Sequence, residues 1–305
     1  MNKSNTYYLD IDKQIEKLHS EGIEYRDKNT IKNLLQTIGS YNIKVYTFRH
    51  YKYELKYFED KSDIIYIHKL YNFDCELRNI IMDIATNIEM RFKAYIGNYI
   101  GREYGAIGHL NEENFCDTDI YNNFVKVIKK KNKEPTKYYC NSDEEEFHDN
   151  TNKFPVWLAC QQLTLGELSK MYGNLQSNIQ ESIIKENYNN KDVIENWYFV
   201  KGWLKGITEM RNICAHNDKL FDWKSTFKND FGLPKPYKSN CNPKSLFTAL
   251  VISKLLMNDK YTINNYDWNI FANRLENCIS KYSFNNNFDP LYYMEFPDDW
   301  KEILS

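Results

Sequence analysis

No C-x-x-C pair occurs among the cysteines, which lie scattered at Cys75, Cys116, Cys140, Cys160, Cys214, Cys241 and Cys278. An odd, dispersed set argues against a disulfide framework and against a zinc site. It fits reduced thiols in a cytosolic protein. H-E-x-x-H is absent, as is any local carboxylate cluster beside a histidine, so neither a metal nor another cofactor is expected. The G-x-x-x-x-G-K-[ST] loop is missing, which weighs against an NTPase. No uncharged apolar run reaches the length of a membrane span. The start, M-N-K-S-N-T-Y-Y, lacks the apolar core of a signal peptide. A cytoplasmic protein without membrane contact is expected. An excess of one charge is lacking too: the net charge is −2 and the pI about 6.3. That excludes a uniformly basic nucleic-acid coat and leaves nucleic-acid contact to local patches. Internal repeats and domain-separating low-complexity linkers are also absent.

What remains is helical signal in 305 residues, enough for one large domain or two modest ones. Aromatics make up 16%, with 25 tyrosines. A tyrosine packs like an apolar residue but keeps a polar tip, so the mean hydropathy of −0.70 understates the core. Nearly every strong period is 3.6 residues. The longest runs from about Asp63 to Gly101, where Leu70, Phe73, Leu77, Ile81, Ile84, Ile88, Phe92, Tyr95 and Tyr99 step by three or four. It predicts one long helix. Shorter helices are expected around Ile11–Leu18, Ile31–Ile38 (capped by Asn29 or Thr30), Ile120–Ile128, Val156–Leu163, Leu165–Leu175, Ile179–Ile184, Leu246–Leu255 and Trp268–Ile279. Another is expected from about Lys191 through Met210. Tyr41 to Phe48 is β-branched and aromatic, which predicts a short strand or an extended connector. The tail from Phe284 is expected to be irregular with a final short turn. The fold class is all-α, with at most a minor extended element. Residues 1–60 are expected to form an N-terminal helical segment on a 61–305 core, with a charged loop inserted near 129–150.

Two groups of residues carry chemistry. The first is W-L-K-G-I-T-E-M-R-N-I-C-A-H-N, Trp203 to Asn217. Its apolar stripe buries the helix, and off that stripe stand Arg211, Asn212 and His216. Asn217 and Asp218 are end signals. An arginine offers a planar, permanently charged fork for phosphate oxygens. A histidine, with a reference pKa of ~6.5, takes and returns a proton near neutral pH. Placed by RNA, the pair supports attack of a ribose hydroxyl on its own phosphate. Five residues at about 100° each put the two side chains roughly 140° apart. They converge if the helix ends at His216, or if a second copy of the motif completes the site across a dimer. Spacing alone leaves a plain reading open: a histidine at a helix C-terminus is often only a favourable partner of the dipole.

The second group is a basic block, Lys129, Lys130, Lys131 and Lys133, followed by Tyr138 and Tyr139 and then by Asp143, Glu144, Glu145 and Glu146. Opposed charge blocks around Pro135 read as an exposed loop. The lysines suit phosphates and the tyrosines suit base stacking, while a merely solvated loop remains open. Glu89 and Lys93, four apart on the long helix, form either a solvated ion pair or a polar pair directed at the site.

R-N-I-C-A-H resembles the R-x-x-x-x-H signature of HEPN ribonucleases. Across most of its length the chain is similar to Abi-like abortive-infection proteins of the AbiD/AbiF type. The resemblance is carried in order by I-D-K-Q-I-E-K-L-H-S-E-G-I, I-G-S-Y-N-I-K-V-Y, L-Y-N-F-D-C-E-L-R, N-I-E-M-R, W-L-A-C-Q-Q-L-T-L-G-E-L-S-K-M-Y-G-N-L and E-M-R-N-I-C-A-H-N-D-K-L-F. It implies a HEPN-like helical bundle and a metal-independent endoribonuclease of antiphage defence. Arg211, Asn212 and His216 would be its catalytic residues, and Glu89 and Lys93 a supporting pair. One motif per chain implies a homodimer or another partner. The resemblance also implies association with a small noncoding RNA. Three functions stand side by side: RNA cleavage, RNA binding without cleavage, and a helical interaction module in which Arg211 and His216 are structural.

Overall fold

The computed structural model describes residues 8–47, 51–52, 57–58, 62–131, 155–225, 232–237, 241–261, 268–282 and 289–304. Its axis is α4 (Ile64–Tyr104), 41 residues without a break and therefore about 60 Å long. Asp63 caps its start by accepting from the Ile65 amide at 2.9 Å. Gly105, at φ +79°, ends it in a conformation that favours glycine. Phe73, Leu77, Ile81, Ile84, Ile88 and Phe92 are all buried, as their three-to-four spacing requires.

Three helices precede it. α1 (Ile11–Ser20) and α2 (Lys28–Thr37) are capped by Asp10 and Asp27. The α2 cap lies two residues before the expected Asn29, because the Asp27 carboxylate reaches the amides of both Asn29 and Thr30. α3 (Gly39–Thr47) is helix where a short strand or extended connector was expected. Ile43, Tyr46 and Thr47 fall three and four apart and are buried, and α3 packs on α4. Tertiary packing thereby overrides the β-propensity of Val45 and its neighbours. Extended structure among the described residues amounts to two short pairings: β1 (Ile23–Glu24) lies parallel to β4 (Ser62–Asp63), and β2 (Tyr51–Lys52) antiparallel to β3 (Tyr57–Phe58). The all-α class stands.

The other face of α4 receives α6 (Val156–Gln162), α7 (Leu165–Asn174), α8 (Ser177–Asn187), α10 (Val200–Ala215), α11 (Leu246–Met257) and α12 (Trp268–Tyr282). Gly97 permits the α4–α6 approach, since a Cβ there would lie 3.1 Å from the Trp157 Cα. α5 (Thr118–Lys131) packs on α7. The helix expected from Lys191 is broken into α9 (Lys191–Ile194), a 3-10 turn at Trp197–Phe199, and α10. Asn196 sits at the break, its side-chain amide donating to the Asp192 carbonyl at 2.9 Å. Such local side-chain bonding competes with the helix. The tail is also more ordered than expected: α13 (Pro290–Met294) and α14 (Trp300–Leu304) bury Met294, Trp300 and Leu304.

His109, in the 3-10 turn after α4, is 0% exposed and stands edge-on to Phe124 at 6.3 Å. Neither ring nitrogen has a hydrogen-bond partner. Burial pushes its pKa down from 6.5 to about 4. The unfolded chain therefore takes up this proton before the folded one does. Stability is full above pH 6.5 and is lost as the pH falls toward 4, by about 3 kcal/mol in all. In urea midpoints measured from pH 7.5 to 4, the wild type is expected to decline more steeply than His109→Leu, so that the difference between them shifts in favour of the variant as the pH falls. Parallel curves would mean that His109 takes no part.

Candidate functional site

α10 is built as the sequence stripe requires. Val200, Trp203, Leu204, Gly206, Ile207, Met210 and Cys214 are buried, and the Trp203 indole donates to the Gly232 carbonyl at 2.7 Å. Burial pushes the Cys214 thiol up to about 12, which makes it a packing group rather than a nucleophile. The helix stops at Ala215, with His216 as its cap residue. Asn217 adopts the left-handed conformation at φ +58°. Its amide bonds the Cys214 carbonyl at 3.2 Å, and the Asp218 amide bonds the Ile213 carbonyl at 3.0 Å. This double bond pattern around a left-handed asparagine is a specific way to close a helix. Asn217 and Asp218 are thus true end signals.

Asn212 and His216 are exposed, and Arg211 is half-buried. The Arg211 guanidinium donates to the Asn212 side-chain oxygen at 3.3 Å. Among the described residues no hydrogen bond joins Arg211 to His216. The helix does end at His216, but no such bond ties the two side chains to each other.

The segment after His216 is anchored from below by residues that the site motif does not include. Asp74, fully buried on α4, accepts from the Tyr46 hydroxyl at 2.6 Å and from the Phe221 amide at 2.8 Å. The Leu220 amide reaches both its oxygens at 3.1 Å. Arg78, one turn on, pairs with Asp74 and donates to the Asp218 carbonyl at 3.3 Å. Lys219 and Asp222 close the segment with an ion pair at 2.8 Å, and the Ser225 hydroxyl donates to Glu209 at 3.0 Å. Sequence reasoning assigned none of these a role in the site. The available signal was an aspartate and an arginine four apart inside the apolar stripe Phe73, Leu77, Ile81. Buried charges of that kind are seldom left without a partner.

A second convergence lies at the junction of α6 and α7. Glu89 and Lys93 form an ion pair at 2.7 Å, and their side chains are only 16% and 11% exposed, so the pair is largely buried rather than solvated. The Lys93 ammonium also donates to the Gln161 carbonyl at 3.2 Å. Lys131, at the end of α5, donates to the Gln162 carbonyl at 2.8 Å and pairs with Glu167. Two lysines thus satisfy the carbonyl end of α6, where the helix dipole favours cations. Thr164 and Glu167 start α7 with a reciprocal cap. At Gly166 a Cβ would come within 3.2 Å of the Thr208 methyl, so the start of α7 rests on α10 one turn before Arg211. Glu89 lies eleven residues from Arg78 along α4, about 16 Å. Among the described residues no bond links it to Arg211, Asn212 or His216. Lys129 and Lys130 are exposed beside Lys131. Lys133 and Tyr138 lie outside the described residues.

No group of three or more His, Cys, Asp or Glu is close enough to hold a metal ion among the described residues. Nor is any described helix long and apolar enough to cross a membrane.

Fold and site together define an all-α protein built on one long helix, with arginine, asparagine and histidine at the capped end of another. A profile described as Abi-like protein matches residues 33–222, more than half of the chain and all of the elements just described from α3 to the Asp74 anchor. The chain belongs to the Abi-like protein family. No curated protein and no solved structure matches it.

Proposed function

We propose that the chain is an endoribonuclease of abortive-infection defence with a HEPN-like core, working at Arg211, Asn212 and His216. His216 takes the proton of a ribose 2′-hydroxyl. The freed oxygen bonds to the adjacent phosphorus, the bond from phosphorus to the 5′-oxygen breaks, and that oxygen leaves with a proton. Arg211 holds the charge that gathers on the phosphoryl oxygens. The products are a 2′,3′-cyclic phosphate and a 5′-hydroxyl, and the step draws on no metal.

The observation that carries this reading is the placement of His216. It is exposed at a helix end closed by specific hydrogen bonds, with Arg211 and Asn212 on the last turn before it. Membership of the Abi-like family supports the defence role. Because the chain carries one such motif and no hydrogen bond joins Arg211 to His216 within it, we propose that the site is completed across a homodimer, where two helix ends face each other.

The same lack of a hydrogen bond favours a second reading, in which Arg211 and the α5 lysines grip a structured small RNA without cutting it. Incubating the protein with RNA in EDTA, beside His216→Ala, separates the two. Cyclic-phosphate ends that vanish in the variant support cleavage. Retention of RNA by both proteins with no new ends supports binding alone. If neither protein binds RNA at low salt, both readings are lost.

A further inference from the structure

We propose that Gly166 and Thr208 are positioning residues for Arg211, their contact between α7 and α10 setting where the guanidinium stands; this rests on the ribonuclease reading above. The Thr208 side chain is fixed before α7 meets it. A β-branched residue has few rotamers in a helix, and threonine settles among them by bonding a carbonyl one turn back. The Thr208 hydroxyl donates to the Leu204 carbonyl at 2.8 Å. Its methyl is the atom that a Cβ at Gly166 would meet, at 3.2 Å. The backbone at Gly166 is not left-handed, so conformation does not call for glycine there. The missing space does: the backbone of α7 rests directly on the methyl of α10.

Gly173 faces Lys201 and Gly166 faces Thr208, so α7 runs antiparallel to α10 and packs against it. Arg211 lies three residues beyond Thr208, about 4.5 Å along the axis and roughly 60° around it. Gly166 is the second residue of α7. Arg211 therefore stands just past the start of that helix, where it is half-buried. Met210 and Cys214 seat the same turn of α10 in the core.

Of the two helices, α7 is the one held at both ends. At its last residue the Asp117 amide donates to the Asn174 side-chain oxygen, and the Asn174 side-chain amide to the Asp117 carbonyl, both at 2.8 Å. Its start is held by the Lys131–Glu167 pair and by the reciprocal cap of Thr164 and Glu167. α10 ends at Ala215, about one turn past Arg211. A methyl added at Gly166 therefore pushes the last turns of α10 aside by a few tenths of an ångström, and Arg211 moves with them. A group that holds charge only in the transition state is sensitive on that scale, since a misplacement of about 1 Å costs about 100-fold.

The test carries one methyl group across the contact. Gly166→Ala adds it on α7. Thr208→Ser removes it from α10 and keeps a hydroxyl for the Leu204 carbonyl. The double variant does both. Cleavage of a mixed-sequence single-stranded RNA by the full chain is followed at a temperature where circular dichroism shows every variant folded. Gly166→Ala is expected to lower kcat about tenfold and Thr208→Ser about threefold, each leaving KM within about twofold, the mark of an interaction made only in the transition state. The double variant is expected to return to within about twofold of wild type. Gly173→Ala is the control: it brings a similar change in helix propensity, but its Cβ would stand 3.8 Å from the Lys201 Cβ, an ordinary contact, and wild-type kcat and KM are expected. In Arg211→Ala, whose residual cleavage is followed with enzyme in excess, adding Gly166→Ala is expected to change the rate by less than about twofold. Wild-type activity in Gly166→Ala, or a double variant no better than Gly166→Ala alone, overturns the positioning role and leaves the nuclease standing. An equal fall in Gly173→Ala or in the Arg211→Ala background overturns it too, by showing an effect that does not pass through the arginine. If Gly166→Ala does not fold, Thr208→Ser decides, and wild-type kcat there overturns the role. If the wild type cuts no RNA, the nuclease reading fails first and this role with it.

Discussion

Cleavage of RNA by His216→Ala is expected to fall by about 100- to 10,000-fold, the range for removing a positioned general acid–base group. The fold should survive, because His216 is exposed and exposed substitutions away from special features stay within about ±0.5 kcal/mol. The bonds that close α10 there are made by backbone amides, including that of His216 itself, and alanine keeps them. Circular dichroism and the urea midpoint should therefore match wild type while cyclic-phosphate ends disappear. Arg211→Lys is a finer probe. It keeps the charge but loses the planar fork, so a loss approaching that of Arg211→Ala would assign the arginine to bidentate phosphate recognition. Equal activity in Arg211→Lys and wild type would reduce its role to a point charge. Mixing inactive Arg211→Ala with inactive His216→Ala tests the dimer. Activity returning in the mixture requires a site shared by two chains. A mixture as dead as its components would place the whole site within one.

The sequence announced α4 and α10 plainly, because an uninterrupted apolar stripe over many turns has no other good use. The end of α10 was equally legible, since Asn217 in the left-handed position is a choice few residues make without strain. α3 was harder. Ile43 and Tyr46 are spaced for a helix but composed for a strand, and only their burial against α4 decides between the two. The break at Asn196 was missed because the apolar period runs straight through it, from Val193 to Val200, and periodicity does not register a polar side chain that bonds its own backbone. Within the site, Arg211, Asn212 and His216 were readable as a motif. The groups that hold them were not, because Asp74 and Arg78 lie more than a hundred residues earlier and meet the site only through the path of the chain. Glu89 and Lys93 were found by their spacing, but spacing says which residues share a face and not what that face meets. It meets the carbonyl end of α6.

Asp74→Ala is expected to cost about 3–5 kcal/mol, the range for breaking a buried ion pair from one side. The reason lies in what it strands. Asp74 is 0% exposed and collects the Tyr46 hydroxyl, the Arg78 guanidinium and the amides of Leu220 and Phe221. Removing it takes the carboxylate away from a buried cation and from two buried amides that it accepts from. Arg78 cannot relieve the cost by losing its proton. Asp74→Ala with Arg78→Leu should recover part of the loss, since an apolar pair in place of a buried ion pair is often tolerated. Urea midpoints of the four proteins in that cycle give the coupling directly. Activity then separates stability from positioning. Asp74 accepts from both the Leu220 and the Phe221 amides, so even a restabilised double variant loses that restraint on the segment that follows His216. Limited proteolysis is expected to cut between Asn217 and Asp222 in the double variant and not in wild type, and RNA cleavage to fall by tenfold or more at a temperature where the double variant is fully folded. A double variant as stable and as active as wild type would show that the bonds closing α10 suffice, and that Asp74 and Arg78 serve only to join α4 to the chain beyond it.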